Sequence, residues 1–252
     1  MSMLAVCSTK GSPGATVLSL ALTCALGDDD AGPAGLVEAD PAGGDLAALL
    51  GLATDPGMVS LAAGWRRQAD WPDVRAHAQT LPSGGWTILG STDPAQAGTA
   101  ISTVVERLPA ALLHACGQTV ADCGRWSAGS PASQLMAAAA VTIVCVRPTV
   151  VALESVRVRA WDLWQVTAGR VGLAVVGPSP YGAGEIQEGT GLPILGCVPI
   201  DRRGVDGLLG RVPTRSVRRS PLVRAARTLC AALDRLDCSR DVMHAGANGM
   251  SR

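Results

Sequence analysis

The chain has 252 residues, 48% of them apolar, and its 21 basic residues are matched by 21 acidic ones. That is ample for a packed core, and zero net charge excludes bulk attraction to nucleic acid or an anionic membrane. No run of about 18 residues is uninterruptedly apolar, and the N-terminus MSMLAVCSTKGSPG lacks the basic segment of a secretory leader, so the chain reads as cytoplasmic.

Short β-rich runs alternate with Ala-rich helical stretches along the chain. The strands are expected at Met3–Cys7, Gly35–Glu38, Trp86–Leu89, Thr119–Asp122, Val141–Val146, Val171–Val176 and Ile194–Pro199. Most are continuous apolar runs, the pattern of parallel strands covered on both faces. Helices are expected at Thr16–Leu26, Pro94–His114, Pro131–Ala140, Thr149–Thr167, Gly182–Thr190 and Pro221–Leu236. Between the second and third strands, Pro56–Gly85 reads as one or two short surface helices. The order defines a three-layer α/β domain over residues 1–236, followed by a flexible tail at 237–252.

Eight cysteines carry no metal-ligand spacing, and Cys7, Cys123, Cys145 and Cys197 fall inside apolar strand runs, where cysteine acts as a small hydrophobe. The three histidines form no catalytic set. Trp161 and Trp164 share a helix face, for core packing or a protein contact. Around the last helix, Arg215, Arg218, Arg219, Arg224 and Arg227 form a basic group (the 215–227 patch). Leu222, Val223, Ala226, Leu229, Cys230, Leu233 and Leu236 recur at helical spacing, so the patch reads as the solvated face of a core helix ahead of a DNA or membrane contact.

Of the 21 cations, 20 are Arg and one is Lys10. That lysine opens the loop Lys10-Gly11-Ser12-Pro13-Gly14-Ala15-Thr16, set between the first strand and a helix. Loop N–H groups and a helix N-terminus together make a cradle for phosphate. An ordinary P-loop reads G-x-x-x-x-G-K-S/T, with the lysine on phosphate and the hydroxyl on magnesium. Gly14 and Thr16 match it; Ala15 stands in the lysine slot.

The loop resembles the deviant Walker A motif, K-G-G-x-G-K-T/S, of the ParA/MinD ATPases, with Lys10 at the signature position that in the family reaches the partner subunit's phosphates. Three further segments resemble the family in order. Gly35-Leu36-Val37-Glu38-Ala39-Asp40-Pro41 matches its second strand, with Asp40 at the water-positioning carboxylate and Glu38 where the family usually has Asp. Thr119-Val120-Ala121-Asp122-Cys123-Gly124 matches its Walker B strand, and Gly196–Asp201 with Gly207–Pro213 its late segment near the base.

The resemblance implies a P-loop NTPase fold with a mostly parallel sheet of seven or eight strands, covering residues 3–236. It implies a site for ATP and magnesium, with Lys10, Gly11, Ser12, Pro13, Gly14, Ala15 and Thr16 at the nucleotide, Thr16 and Asp122 at the metal, and Asp40 and Lys10 (the latter in trans) as the catalytic pair. Loss of the loop lysine weakens such a site, since phosphoryl transfer rests on positioning and charge neutralisation. Arg147 after the fifth strand either faces the nucleotide or caps a strand end, the latter being favoured. Glu38–Leu46 and Gly90–Pro94 most resemble the CpaE/TadZ branch, which positions pilus or secretion machinery and regulates septum sites.

The function expected is a degenerate ParA/MinD-like scaffold or localisation factor with weak or no ATP hydrolysis. It would work as a homodimer or a mixed dimer with an intact paralogue, bind a protein such as a secretion or pilus ATPase, and be recruited to a pole, the septum or the inner membrane face. The alternative is an active nucleotide switch in chromosome partitioning or division-site selection, its turnover abolished by Lys10→Ala.

Overall fold

Alternate residues of the first strand, β1 (Met3–Ser8), feed two separate cores. Met3, Ala5 and Cys7 join an apolar cluster on one face of the sheet, and Leu4 and Val6 join another on the opposite face. With both faces covered, the strand needs no polar alternation. The computed structural model describes residues 3–27, 32–67, 73–115 and 117–233, and the expected tail at 237–252 lies outside them.

After β1 come α1 (Ala15–Leu26), β2 (Gly35–Glu38), α2 (Leu46–Leu50), α3 (Met58–Arg67), β3 (Gln79–Thr80) and β4 (Trp86–Ile88). The middle of the chain forms α4 (Pro94–Val104), α5 (Leu108–Ala115), β5 (Thr119–Arg125), α6 (Ser133–Ala138) and β6 (Val141–Val146). There follow α7 (Val150–Val166), β7 (Val171–Val176), α8 (Ala183–Thr190), β8 (Ile194–Val198), α9 (Arg202–Leu208) and α10 (221–233). The strands form one eight-stranded sheet in the order β3-β4-β2-β5-β1-β6-β7-β8. All neighbours are parallel except the short β3–β4 pair. Buried side chains of α3 to α8 cover one face and those of α1, α2, α9 and α10 the other.

The expected helix Pro94–His114 is two helices. Pro109 has no N–H to give the carbonyl of Val105, and its ring would collide with that carbonyl, so α4 ends and α5 restarts with the proline in its first turn. The Pro56–Gly85 region holds α3, a 3₁₀ turn at Val74–His77 and the two-residue β3. Trp161 and Trp164 are not core residues: they are 67% and 47% exposed and stack on each other with ring centroids 5.6 Å apart. Cys197 is exposed on the edge strand β8, whereas Cys7, Cys123 and Cys145 are buried. In α10, Leu222, Val223, Ala226, Leu229 and Leu233 are buried, with Arg224 outside, as the helical spacing requires.

Gly35 begins β2 beneath the indole of Trp86. A Cβ at Gly35 would stand 1.9 Å from Trp86 Cζ2, and the ring is itself buried. Gly35→Ala is therefore expected to cost about 1–3 kcal/mol, read from urea unfolding. An unchanged midpoint would mean the indole can move aside.

Candidate nucleotide site

β1 is the strand at which the chain changes direction across the sheet, with β5, β2 and β4 on one side and β6, β7 and β8 on the other. Open α/β sheets place their ligand crevice at the carboxyl end of such a strand. Here the Lys10–Gly14 loop leaves β1 and enters α1. Gly14 caps the helix with φ of 101°, in the left-handed region that favours glycine. No side chain caps the first turn of α1, so its N–H groups face the crevice. The loop lines a cavity of about 410 Å³ together with Asp40, Asp45 and Arg125. Ala15 is on its wall and only 8% exposed, part of the core beneath α1.

Asp122 on β5 is buried below the cradle. The Thr16 hydroxyl stands near its carboxylate. The Gly124 N–H donates to Oδ1 at 3.2 Å, while buried Oδ2 has no hydrogen-bond partner among the described residues. Burial pushes this carboxyl up to about 7; the nearby Thr16 hydroxyl and the Gly124 N–H oppose the rise, and the charges of Glu38 and Asp40 add to it. An unpaired buried oxygen beside a threonine hydroxyl suits a hard divalent cation, so Thr16 and Asp122 fit the expected magnesium.

Asp40 follows β2, lines the cradle and accepts from the Ala42 N–H at 2.8 Å. Burial raises its pKa, opposed by that bond and by the Arg125 charge. Glu38, two residues earlier, has a different task. Its Oε1 accepts from the Leu46 N–H and its Oε2 from the Gly90 N–H, both at 2.8 Å, with the side chain 1% exposed. It holds the loop bearing Asp40 between α2 and the end of β4; burial raises its pKa despite the donors.

Lys10 stands apart from these groups. It is exposed and lines a separate groove of about 530 Å³ with Arg125, Val150, Glu154, Ser155 and Arg159. It is not among the residues that line the cradle cavity. A third cavity, about 350 Å³ and mostly apolar, shares Pro13, Gly14 and Val17 with the cradle and extends over Val176, Pro199 and Ile200, a setting for a nucleoside base. Arg147, exposed directly after β6, also lines it. Asp201 at its edge is structural: it accepts from Gly204 N–H at 2.9 Å and Leu222 N–H at 3.2 Å, joining the starts of α9 and α10.

Arg125 at the cradle has no signal in the loop sequence, because it arrives from β5. That strand runs three residues past Asp122, beyond its expected end. The sole earlier sign of it was an arginine three residues after the Walker B aspartate.

No protein-family model matches the sequence, nor does any curated protein sequence. Solved structures do match. The septum site-determining protein MinD from Pyrococcus horikoshii, complexed with Mg-ADP, aligns with a TM-score of 0.73 at 18% identity over 94% of this chain and 97% of that one. A ParA family ATPase from Chlorobium tepidum aligns at 0.72, with 16% identity over 92% and 97%. The MinC:MinD cell division protein complex of Aquifex aeolicus aligns at 0.69, with 15% identity over 94% and 95%. The chain has the P-loop NTPase fold of the ParA/MinD ATPases. Among the described residues no helix is long and apolar enough to cross a membrane.

Proposed function

We propose that this protein is a nucleotide-holding scaffold of the ParA/MinD type, which localises or regulates other machinery and hydrolyses ATP weakly or not at all. The observation that carries this reading is Ala15 in the lysine slot of a cradle that is otherwise built: left-handed Gly14, an uncapped α1, Thr16 on Asp122, and Asp40 at the mouth. Gly11 to Thr16 hold the phosphates, Thr16 and Asp122 hold magnesium, and the apolar cavity takes the base. When bound, the cation neutralises phosphate charge. Asp40 orients water, but without a loop lysine the charge that builds in the transition state is poorly met.

Mg-ADP in the P. horikoshii MinD structure supports the ligand class, and MinC:MinD supports a protein partner for a homodimer or a mixed dimer with an intact paralogue. The CpaE/TadZ-like segments make pilus or secretion machinery, or the septum, the cargo. Lys10, exposed in the groove beside Val150 and Val151 of α7, would act across such a dimer.

Steady-state hydrolysis of Mg-ATP tests the reading. The wild-type chain is expected to show negligible turnover, and Ala15→Lys to raise it at least tenfold. Dimer-dependent turnover by the wild type, abolished by Lys10→Ala, would instead establish an active switch.

A further inference from the structure

The strand pairing beside the cradle contains an irregularity. Val6 pairs with Asp122, but Ser8 pairs with Arg125, so two steps along β1 are met by three along β5. The extra residue is taken up around Gly124, whose φ of 59° lies in the left-handed region. A Cβ there would stand 1.9 Å from Asp40 Cγ, so the bulge and the seat of Asp40 are made together. Bulges re-aim the side chains that follow them. The next residue is Arg125, and the one after is fixed: the Trp126 N–H donates to the Ser8 carbonyl at 2.8 Å, and its buried indole donates to Ser133 Oγ at 2.9 Å. Arg125 is therefore held at its base between a glycine bulge and an anchored tryptophan.

Its guanidinium is held far more loosely. It reaches the Gly11 carbonyl of the loop at 3.4 Å, and Arg125 lines both the cradle cavity and the Lys10 groove. Among the described residues the ion pairs are Arg157–Glu154 and Arg211–Asp206; the Arg125 charge is felt by Asp40 but forms no close ion pair with it. An exposed cation with most of its five donors unspent thus faces a cradle that lacks its own.

We propose that Arg125 is the phosphate-binding cation of this site, delivered from the end of β5 to the place a loop lysine serves in ordinary P-loops. The proposal rests on the nucleotide reading above. It also assigns the ligand a feature: adjacent phosphate oxygens, as in a nucleoside diphosphate, that a planar guanidinium grips with two parallel N–H bonds. An arginine standing on a strand rather than on the loop binds phosphate without following the reacting group, so it favours holding over turnover.

Calorimetric titration with Mg-ADP and, separately, with adenosine tests this in the intact chain. The wild type is expected to bind ADP more tightly than adenosine. Arg125→Ala is expected to lose about ten- to a hundredfold in ADP affinity with adenosine unchanged, Arg125→Lys to lose less, and Arg67→Ala on α3 to lose nothing. Ala15→Lys added to Arg125→Ala is expected to restore the ADP preference, which excludes a folding defect. If folded Arg125→Ala keeps the full ADP preference, Arg125 is not the phosphate cation, although the nucleotide reading stands. If the wild type binds ADP no better than adenosine, both readings fall.

Discussion

Asp122→Asn is expected to make the ligand-free protein more stable at pH 8 by roughly 2–4 kcal/mol, while leaving it unchanged near pH 4. The aspartate is buried with one oxygen unpartnered, and its pKa stands at about 7 in the folded chain against an ordinary 3.8. Between those values the native protein keeps a proton that the unfolded chain has released. Unfolding free energy therefore falls as pH rises from about 4 to about 7, by roughly 4 kcal/mol in all. Above pH 7 the full penalty persists, and below pH 4 there is none. Asparagine fills the same space and never ionises. Urea unfolding in the presence of a chelator at both pH values gives the difference; an equal effect at the two would show that the carboxylate is not ionised at a cost. The penalty is also what a cation beside Thr16 would offset.

Glu38→Ala is expected to act with the opposite sign, lowering stability by about 3–5 kcal/mol at pH 7. Two backbone N–H groups, those of Leu46 and Gly90, lose their acceptor in the interior, and a cavity opens where the side chain was. Glu38→Gln keeps one acceptor oxygen and is expected to fall between the two. Urea midpoints rank the three chains; a loss under 1 kcal/mol for the alanine variant would mean that water reaches the stranded donors. Because the same carboxylate seats the loop that carries Asp40, the alanine variant loosens the mouth of the cradle as well.

Much of this architecture was written in local patterns. Seven strands of the sheet come from apolar runs, six of them covered on both faces and β8 at the rim, and the loop between Ser8 and Thr16 has the glycine spacing that a strand-to-helix cradle needs. What escaped was set by contacts distant in sequence. The two residues of β3 are half-exposed and carry no pattern; only pairing with β4 makes them a strand. The placing of Trp161 and Trp164 on the outside of α7 follows from which face of that helix meets the sheet, and a spacing of three serves either side. Glu38 reads in the sequence only as standing where the family usually has Asp, and its partners are 8 and 52 residues away. Arg125 required knowledge of a bulge, which is a property of two strands and not of one.

The position of the cradle in the strand order has a consequence for its durability. Backbone hydrogen bonds of β1, β5 and β6 are enclosed by neighbours on both sides, while β3 and β8 form the rims. Amides at the rims exchange with solvent through local fraying; those at the centre exchange only when the whole sheet opens. The floor beneath Thr16 and Asp122 is thus the slowest-opening part of the molecule, and its shape is sustained by the fold's own cohesion. A site built there keeps its form after a catalytic group is lost, and the same fold can outlive the reaction it once served.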